Sequence, residues 1–520
     1  MLQSFVRRSF WQTKRLSALS TECNFYSTKE SDKNNDYVAK NIDLGNPDAL
    51  DRMKRCLVRD MAELKRNLMF WKDFKNPAIC EKTGRVIDWD DPHAPIFPNH
   101  CDIVIIGGGA IGSSVAYFTK LLGNKSLRVV VVEKDDSYKQ ASTVLSVGGL
   151  RQQFSLPENI EMSLYGAEFI RNANEFLGIE GEAPVDLQFH PYGYLSLATE
   201  ETAEILQNNS ALQRSLGAKN VLLSANQLKS KFPWLNVENI ELGCLGLEKE
   251  GWFDPWMLLC SLKRKAYSLG VNFVKAEAVG FNFEFKSGTV VTGDYSEFET
   301  PNYLVVRTED GKLRPITFSE CVIAAGAFSG DVARMVQIGT KAHHKILSIP
   351  LPIEPRKRYV YCFHAPDGPG LNTPMTIDPS GMYFRREGLN NNYICGLSPE
   401  EHEEPATDNL DVDYEFFNNK IWPKLANRVP AFENLKVKSA WAGFYEYNTF
   451  DENGVIGYHP YHSNILFATG FSGHGIQKAP AVGRAVSELI KYSQYKTIDL
   501  SRLGFDRFIT EQPLREVNIW

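Results

Sequence analysis

Four glycines and one glutamate carry the most specific chemical signal in this 520-residue chain. In Ile103-Val-Ile-Ile-Gly107-Gly108-Gly109-Ala110-Ile111-Gly112 an apolar run enters a glycine turn, and Glu133 closes the next apolar run 21 residues beyond Gly112. A strand that turns directly into a helix brings backbone N–H groups and the positive end of the helix up to a pyrophosphate. Gly107 permits the tight turn, Gly109 leaves no side chain in the way of the phosphates, and Gly112 lets the helix lie against the strand. Ala110 and Ile111 complete the first turn. Val129-Val-Val-Val132 reads as a buried parallel strand, and an acid at its end can accept both hydroxyls of a ribose. The same acid would repel a 2′-phosphate. Together these residues specify the binding of a dinucleotide.

A second unit of the same kind lies 360 residues later. Asn464-Ile-Leu-Phe-Ala-Thr-Gly470 reads as a strand and Phe471-Ser-Gly473-His474-Gly475 as a glycine loop. Pro480 is expected to open a helix carrying Val482, Val486, Leu489 and Ile490 on one side. A helix end there places partial positive charge beside a bound group. A flavin gains negative charge near its pyrimidine edge when it takes up two electrons, whereas a nicotinamide has no such need, so the pair of units favours FAD. A third piece, Ile323-Ala-Ala325-Gly326-Ala-Phe-Ser329, ends a strand in small residues that allow a flat or charged ligand to come close.

The elements that must position these pieces are interleaved. Dinucleotide-type segments recur at 101–185, 246–345 and 440–495. Residues 186–245 and 346–439 suit an antiparallel-sheet substrate or cap domain. The expected fold is therefore mixed α/β, a Rossmann-type FAD-binding domain woven through an antiparallel-sheet domain. Pro157 is expected to open a helix stopped by Gly178, 254–270 and Asp413–Asn427 are expected to be helical, and 282–304 reads as an unpatterned loop or hairpin. Residues 29–100 read as a linker with a helical extension from Pro47 to about Trp71, and 496–520 as a tail.

Bulk properties exclude several functions. No run of 18 apolar residues occurs, so no membrane-spanning helix is expected, which leaves attachment at a membrane's periphery open. Nine scattered cysteines without a CxxC pair argue against a disulfide framework and against a metal site. Residues 1–28 hold Arg7, Arg8, Lys14 and Arg15 among dispersed apolar residues, with Glu22 as the one acid. This is the pattern of a mitochondrial transit peptide. Without that segment the chain has 53 basic and 62 acidic residues, a net charge of −9, which suits nucleic acid poorly.

The paired glycine units, with Ser142–Arg151, Gly251-Trp-Phe-Asp254-Pro255, Ala324–Ser329, Asp378–Arg386 and Trp441–Tyr447, resemble the D-amino-acid oxidase superfamily, which includes sarcosine and dimethylglycine dehydrogenases. The resemblance spans residues 100–490. It implies cofactor contacts at Gly107, Gly109, Ala110, Ile111, Gly112, Glu133, Lys134, Ser142, Ser146, Gly148, Gly149, Ala325, Gly326, Gly470, Gly473, His474, Gly475, Ile476 and Gln477. Relatives attach FAD covalently through a His in the loop matching Ser142–Gly149 or through a late Cys. This loop has no His, and the last cysteine is Cys395, so FAD is expected to be held without a covalent bond.

Hydride transfer from the carbon beside an amine is the chemistry the resemblance implies. A small amino acid needs a cation for its carboxylate. Arg385 is the first choice by position and Arg151 the second, with Tyr383 on the amine side and His474 at the flavin edge. Glu446 and Tyr447 fall where relatives have residues near the substrate cavity. Simple sarcosine oxidases have a Lys where Gln477 stands here, and Lys478 is one helical step away.

A narrower resemblance, carried by Ser146–Asn159 and Gly473–Val486, is to a mitochondrial matrix branch of these flavoproteins. It implies respiratory complex I subunits or assembly factors as partners. Two readings follow: a flavoprotein supporting complex I assembly, or a dehydrogenase of a small, N-methylated amine. An NAD-dependent dehydrogenase would need no second glycine loop.

Overall fold

Ile103–Ile106 is four consecutive β-branched residues, all buried, the composition of a strand covered on both faces. In the computed structural model it is central to an eight-stranded sheet. The order is Leu313–Thr317, Phe298–Thr308, Asn272–Lys286, Val129–Glu133, Ile103–Ile106, Glu320–Ile323, Ile465–Thr469 and Val455–Tyr458. The five strands from Asn272–Lys286 to Ile465–Thr469 run parallel, and antiparallel strands flank them on both sides. The structure describes residues 94–123, 126–286 and 298–517, with residues 57, 61, 87 and 89. The expected transit peptide and the helix expected over 47–71 therefore lie outside the described residues, apart from two isolated helical positions.

Alternation along the strands divides the core. Ile103, Ile105, Val129 and Val131 face the helices Ala110–Leu122, Pro157–Arg171 and Gly475–Tyr492, while Val104, Ile106, Val130 and Val132 face the opposite layer with Phe281, Leu304 and Val332. Two glycines set the helix spacing. A side chain on Gly483 would run into Ser114, and one on Gly166 into the Gln477 carbonyl.

A second eight-stranded sheet has the order Lys436–Asn448, Ile353–His364, Asn392–Gly396, Tyr383–Glu387, Met375–Ile377, Tyr194–Ala198, Leu242–Gly246 and Asn220–Ser224. It is antiparallel except where Met375–Ile377 runs parallel to Tyr194–Ala198. The short pair Gly149–Leu150 and Gly251–Trp252 forms a third sheet. This is the interleaved α/β arrangement expected from the sequence.

Four local expectations are corrected. The strand Lys436–Asn448 belongs wholly to the second sheet, paired along its length with Ile353–His364, so a boundary at 440 cuts through one element. Of the loop or hairpin expected over 282–304, the hairpin pairing is the one found and the lack of pattern is what is corrected, because Asn272–Lys286 and Phe298–Thr308 pair as long antiparallel strands. Residues 496–517 are no tail: Leu500, Leu503 and Phe505 are fully buried, and Arg507 donates from Nε to Asp451 at 2.7 Å. Finally, the last long helix starts at Gly475, with Pro480 inside it. Proline there removes a single bond, to the Ile476 carbonyl, close to the helix start.

Candidate active site: a dinucleotide cavity meeting a cationic loop

The strand Ile103–Ile106 delivers the chain into its turn with Gly107 at φ +100°, a conformation that costs glycine little. A Cβ on Gly107 would strike the Ala324 carbonyl, and one on Gly112 the Gly107 carbonyl. The glycines are thus demanded by backbone-to-backbone approach. The helix beyond has Gly109 at its cap, with no capping side chain of its own and no acid in its first turn; the Ala110 N–H donates to the Thr143 hydroxyl at 3.1 Å. Beside this helix start lies a cavity of about 360 Å³. Gly107, Gly109, Ala110, Ile111, Glu133, Lys134, Ser142, Ala325 and Gly326 all line it.

Glu133 stands at the strand end with Oε2 accepting the Gly108 N–H at 2.8 Å and Oε1 accepting the Asp135 N–H at 2.9 Å. Burial raises its pKa, and these two bonds oppose the rise. Each carboxylate oxygen keeps a further lone pair for a ribose hydroxyl.

The second glycine unit lines this cavity through Ala468 alone, and its loop is tied to the cavity by Glu446 of the strand Lys436–Asn448, which also lines it. Gly470, Gly473, His474, Gly475, Ile476 and Gln477 do not line it, nor do Ser146, Gly148, Gly149 and Arg151. Glu446 Oε2 accepts from the Gly470 N–H at 3.2 Å and the Thr469 hydroxyl at 3.3 Å. Its Oε1 lies 3.1 Å from where a Cβ on Gly475 would stand. Burial pushes the Glu446 pKa up to about 7, against hydrogen bonds from Gly470, Phe471 and Thr469.

Beyond Glu446 the chain turns through Gly470 and Gly473, both at positive φ, into the helix at Gly475. Arg151 closes onto this turn. Its backbone N–H donates to Gln477 Oε1 at 2.7 Å, and its Nη2 lies 3.0 Å from His474 Nε2. Burial, then Arg151 and Lys478, drive the His474 pKa well below its usual value. Since a guanidinium only donates, Nε2 is the acceptor and the imidazole proton sits on Nδ1. The buried Phe154 ring carries Arg151 at 4.8 Å and Lys478 at 4.4 Å. Lys478 Nζ donates to Asn159 Oδ1 at 2.7 Å, and burial lowers its pKa to about 7. Ile476 is partly buried against the helix layer.

The loop between Ser142 and Gly149 joins the two parts. Ser146 Oγ accepts the Gly148 N–H at 3.3 Å, and Gly148 has φ +69°. A Cβ on Gly149 would strike the Tyr194 hydroxyl, one on Gly473 the Tyr445 ring, and one on Gly396 the Tyr383 hydroxyl. These three tyrosines lie close enough to interact electrostatically, and Tyr194 and Tyr445 do so with Arg151; burial raises the pKa of each. With Trp252, Met375 and Ile377, Tyr194 and Tyr383 form an aromatic and aliphatic wall.

Arg385 is committed elsewhere. Its Nε donates to the Val147 carbonyl at 3.0 Å, its Nη1 pairs with Glu387, and its guanidinium lies 5.4 Å over Trp252. It supports the cofactor loop from behind. Tyr447 lies beneath Arg356 at 4.6 Å, with its hydroxyl donating to Glu452, away from the cavity that Glu446 lines.

Glu250 carries no motif. It is buried, with oxygens accepting the Gln152 N–H at 2.8 Å and the Gln153 amide at 3.0 Å; burial raises its pKa to about 7. Tyr194 and Tyr445 also lack a sequence signal, because their glycine partners are distant in the chain.

The cavity's glycine cradle, the acid at the strand end and the adjoining cationic turn fit a dinucleotide with a charged, redox-active end. Residues 102–489 match the FAD dependent oxidoreductase family, DAO. FAD-dependent oxidoreductase domain-containing protein 1 of Bos taurus is 51% identical over 431 residues, 82% of this chain and 88% of the relative. A homologue of that protein in Drosophila melanogaster is 51% identical over 433 residues, 81% of each chain. The crystal structure of L-proline dehydrogenase from P. horikoshii superimposes with a TM-score of 0.65 at 25% identity, covering 80% of this chain and all of that one. The chain therefore belongs to the DAO family of FAD-dependent oxidoreductases, and its cofactor is FAD.

Proposed function

We propose that this flavoprotein oxidises a small secondary or N-methylated amino acid at the carbon beside its nitrogen. The observation that carries the reading is the turn around Arg151, His474 and Lys478 at the start of the helix Gly475–Tyr492. When bound, FAD supplies the acceptor for the hydride. The chain's own residues supply charge and shape. The Gly107–Gly112 turn and Glu133 hold the diphosphate and ribose end. Arg151 and the helix start offset the negative charge that the cofactor's ring end gains. His474, kept neutral, presents its Nδ1–H as a fixed donor. The wall of Tyr194, Tyr383 and Trp252 excludes water, and Tyr194 and Tyr383 offer aromatic faces to a cationic amine. The resemblance of the fold to L-proline dehydrogenase, named for a cyclic secondary amine, supports the same substrate class.

The test is anaerobic mixing of the holoprotein with sarcosine, dimethylglycine, L-proline and glycine while following the visible flavin band. Bleaching by at least one secondary or tertiary amine, and slower or none with glycine, is expected; an unchanged band with every amine overturns the reading. Binding without a covalent bond is part of the proposal, since Cys395 is buried within a strand of the second sheet and the Ser142–Gly149 loop has no His. Acid precipitation should release all the flavin to the supernatant.

A second reading is favoured by one observation: Arg385, the first choice for a substrate carboxylate, is tied to Val147 and Glu387. In that reading FAD serves chiefly as a structural element, and the protein works in the mitochondrial matrix as a factor for assembling respiratory complex I. The resemblance of Ser146–Asn159 and Gly473–Val486 to a mitochondrial branch, and the Arg-rich residues 1–28, support it. Removing the protein from cells should lower assembled complex I, and an Arg151→Met protein that retains FAD should restore it. Failure of that protein to restore complex I, with wild type succeeding, returns the weight to catalysis.

A further inference from the structure

Glu446 is a carboxyl with an unusual position. It is half-buried, and the cavity it lines is the one bounded by Gly107, Gly109 and Gly326. It comes from the strand Lys436–Asn448 of the second sheet, so it is the acid that the substrate domain contributes to the dinucleotide cavity of the other. Its Oε2 is held by the Gly470 N–H and the Thr469 hydroxyl, and a Cβ on Gly326 would lie 3.9 Å from the same oxygen. The opposite oxygen, Oε1, sits against Gly475.

We propose that Glu446 binds the FAD in its neutral, protonated form, donating its proton to a hydroxyl or phosphate oxygen of the cofactor, and that its ionisation loosens FAD. A dinucleotide brings two negative phosphates into the cavity. Its other titratable or charged side chains are Glu133, Lys134, Asp135, Tyr138, Glu277 and Asp331, and Lys134 is already paired with Glu277 at 2.7 Å. A further carboxylate there would face like charge in a poorly hydrated space. A neutral carboxyl is instead a donor on one oxygen and an acceptor on the other. Among the described residues Glu446 pairs with no cation, and burial already holds its pKa near neutrality, at about 7.

This inference rests on FAD dependence but not on amine oxidation, so its test reads binding alone. Holoprotein is diluted into buffers from pH 6 to pH 9, and free FAD is measured by fluorescence after ultrafiltration. Wild type should lose affinity by about tenfold per pH unit once the carboxyl ionises. Glu446→Gln keeps a donor at every pH and should show a flat profile, with tighter retention than wild type at pH 9. Glu446→Ala should bind weakly and without pH dependence. The melting temperature of each deflavinated variant, matched to wild type, guards against misfolding. Equal pH slopes in wild type and Glu446→Gln overturn the proposal. So does loss of FAD from a well-folded Glu446→Gln protein at pH 6, which would mean that the ionised form is the binding one.

Discussion

At the scale of single residues, side chains here act through what they already hold. Glu133 bonds the Gly108 and Asp135 N–H groups with both oxygens, so it is preset for a ribose before any ligand arrives. Glu133→Ala should weaken FAD about ten- to hundredfold, from lost charged hydrogen bonds of about 1.5–3 kcal/mol, read by titrating deflavinated protein; unchanged affinity would remove Glu133 from the site. Arg385 makes a contrasting case. Arg385→Ala leaves the Val147 carbonyl without its donor, so about 1–3 kcal/mol of stability should be lost. Urea unfolding checks this; a raised KM with unchanged stability would instead give Arg385 a role with substrate. Arg151→Lys keeps the charge but not the fork directed at His474, and it should slow flavin bleaching by a substrate amine about 10²-fold in stopped-flow measurements.

At the scale of elements, the site depends on how closely three helices approach one another. Gly483 sits where a side chain would meet both the hydroxyl and the backbone carbon of Ser114. The hydroxyl could rotate aside but the backbone carbon, at 2.6 Å, could not, so the helices Ala110–Leu122 and Gly475–Tyr492 would have to separate. Gly483→Val should cost about 1–3 kcal/mol, seen as a lower melting temperature. If the starts of these two helices serve the two ends of one cofactor, as proposed, it should also weaken FAD binding. A variant that melts lower while binding FAD normally would show that the helix starts are held by the sheet alone.

At the scale of the whole molecule, the closing segment at the far end of the chain makes stability depend on pH. His459 and His462 are almost wholly buried, His459 beside Phe467 and Phe505 and His462 beside Phe283. His459 Nδ1 accepts the Tyr461 and His462 N–H groups, which fixes a neutral ring. Burial pushes the pKa of His459 down to about 3 and that of His462 to about 4. In the unfolded chain both take a proton near about 6.5. Protons therefore bind the unfolded state preferentially below that pH, and stability present above about 6.5 is lost progressively as pH falls toward 4 and then 3. Melting temperatures at pH 7.5 and pH 5 should differ for wild type and differ less for His459→Gln combined with His462→Gln; equal slopes would place the acid sensitivity elsewhere.

What the sequence determined by itself is local. Gly107, Gly109, Gly112 and Glu133 lie within one strand–turn–helix–strand unit, and their spacing reports the geometry because only a few turns of chain separate them. The strand and loop at 464–475 were legible for the same reason, and so was the interleaving of two sheets. Pro480 misplaced the helix start, because a proline is tolerated near the beginning of a helix and its composition does not say on which turn it falls. Pairings between distant segments belonged to the tertiary structure alone. Tyr194 with Gly149, Tyr445 with Gly473, Arg385 with Val147 and Glu446 with Gly470 each join positions whose separation carries no periodic signal. Burial also had to be seen, since a carboxyl with an ordinary solution pKa becomes a proton donor near neutrality only once a particular fold has taken away its water.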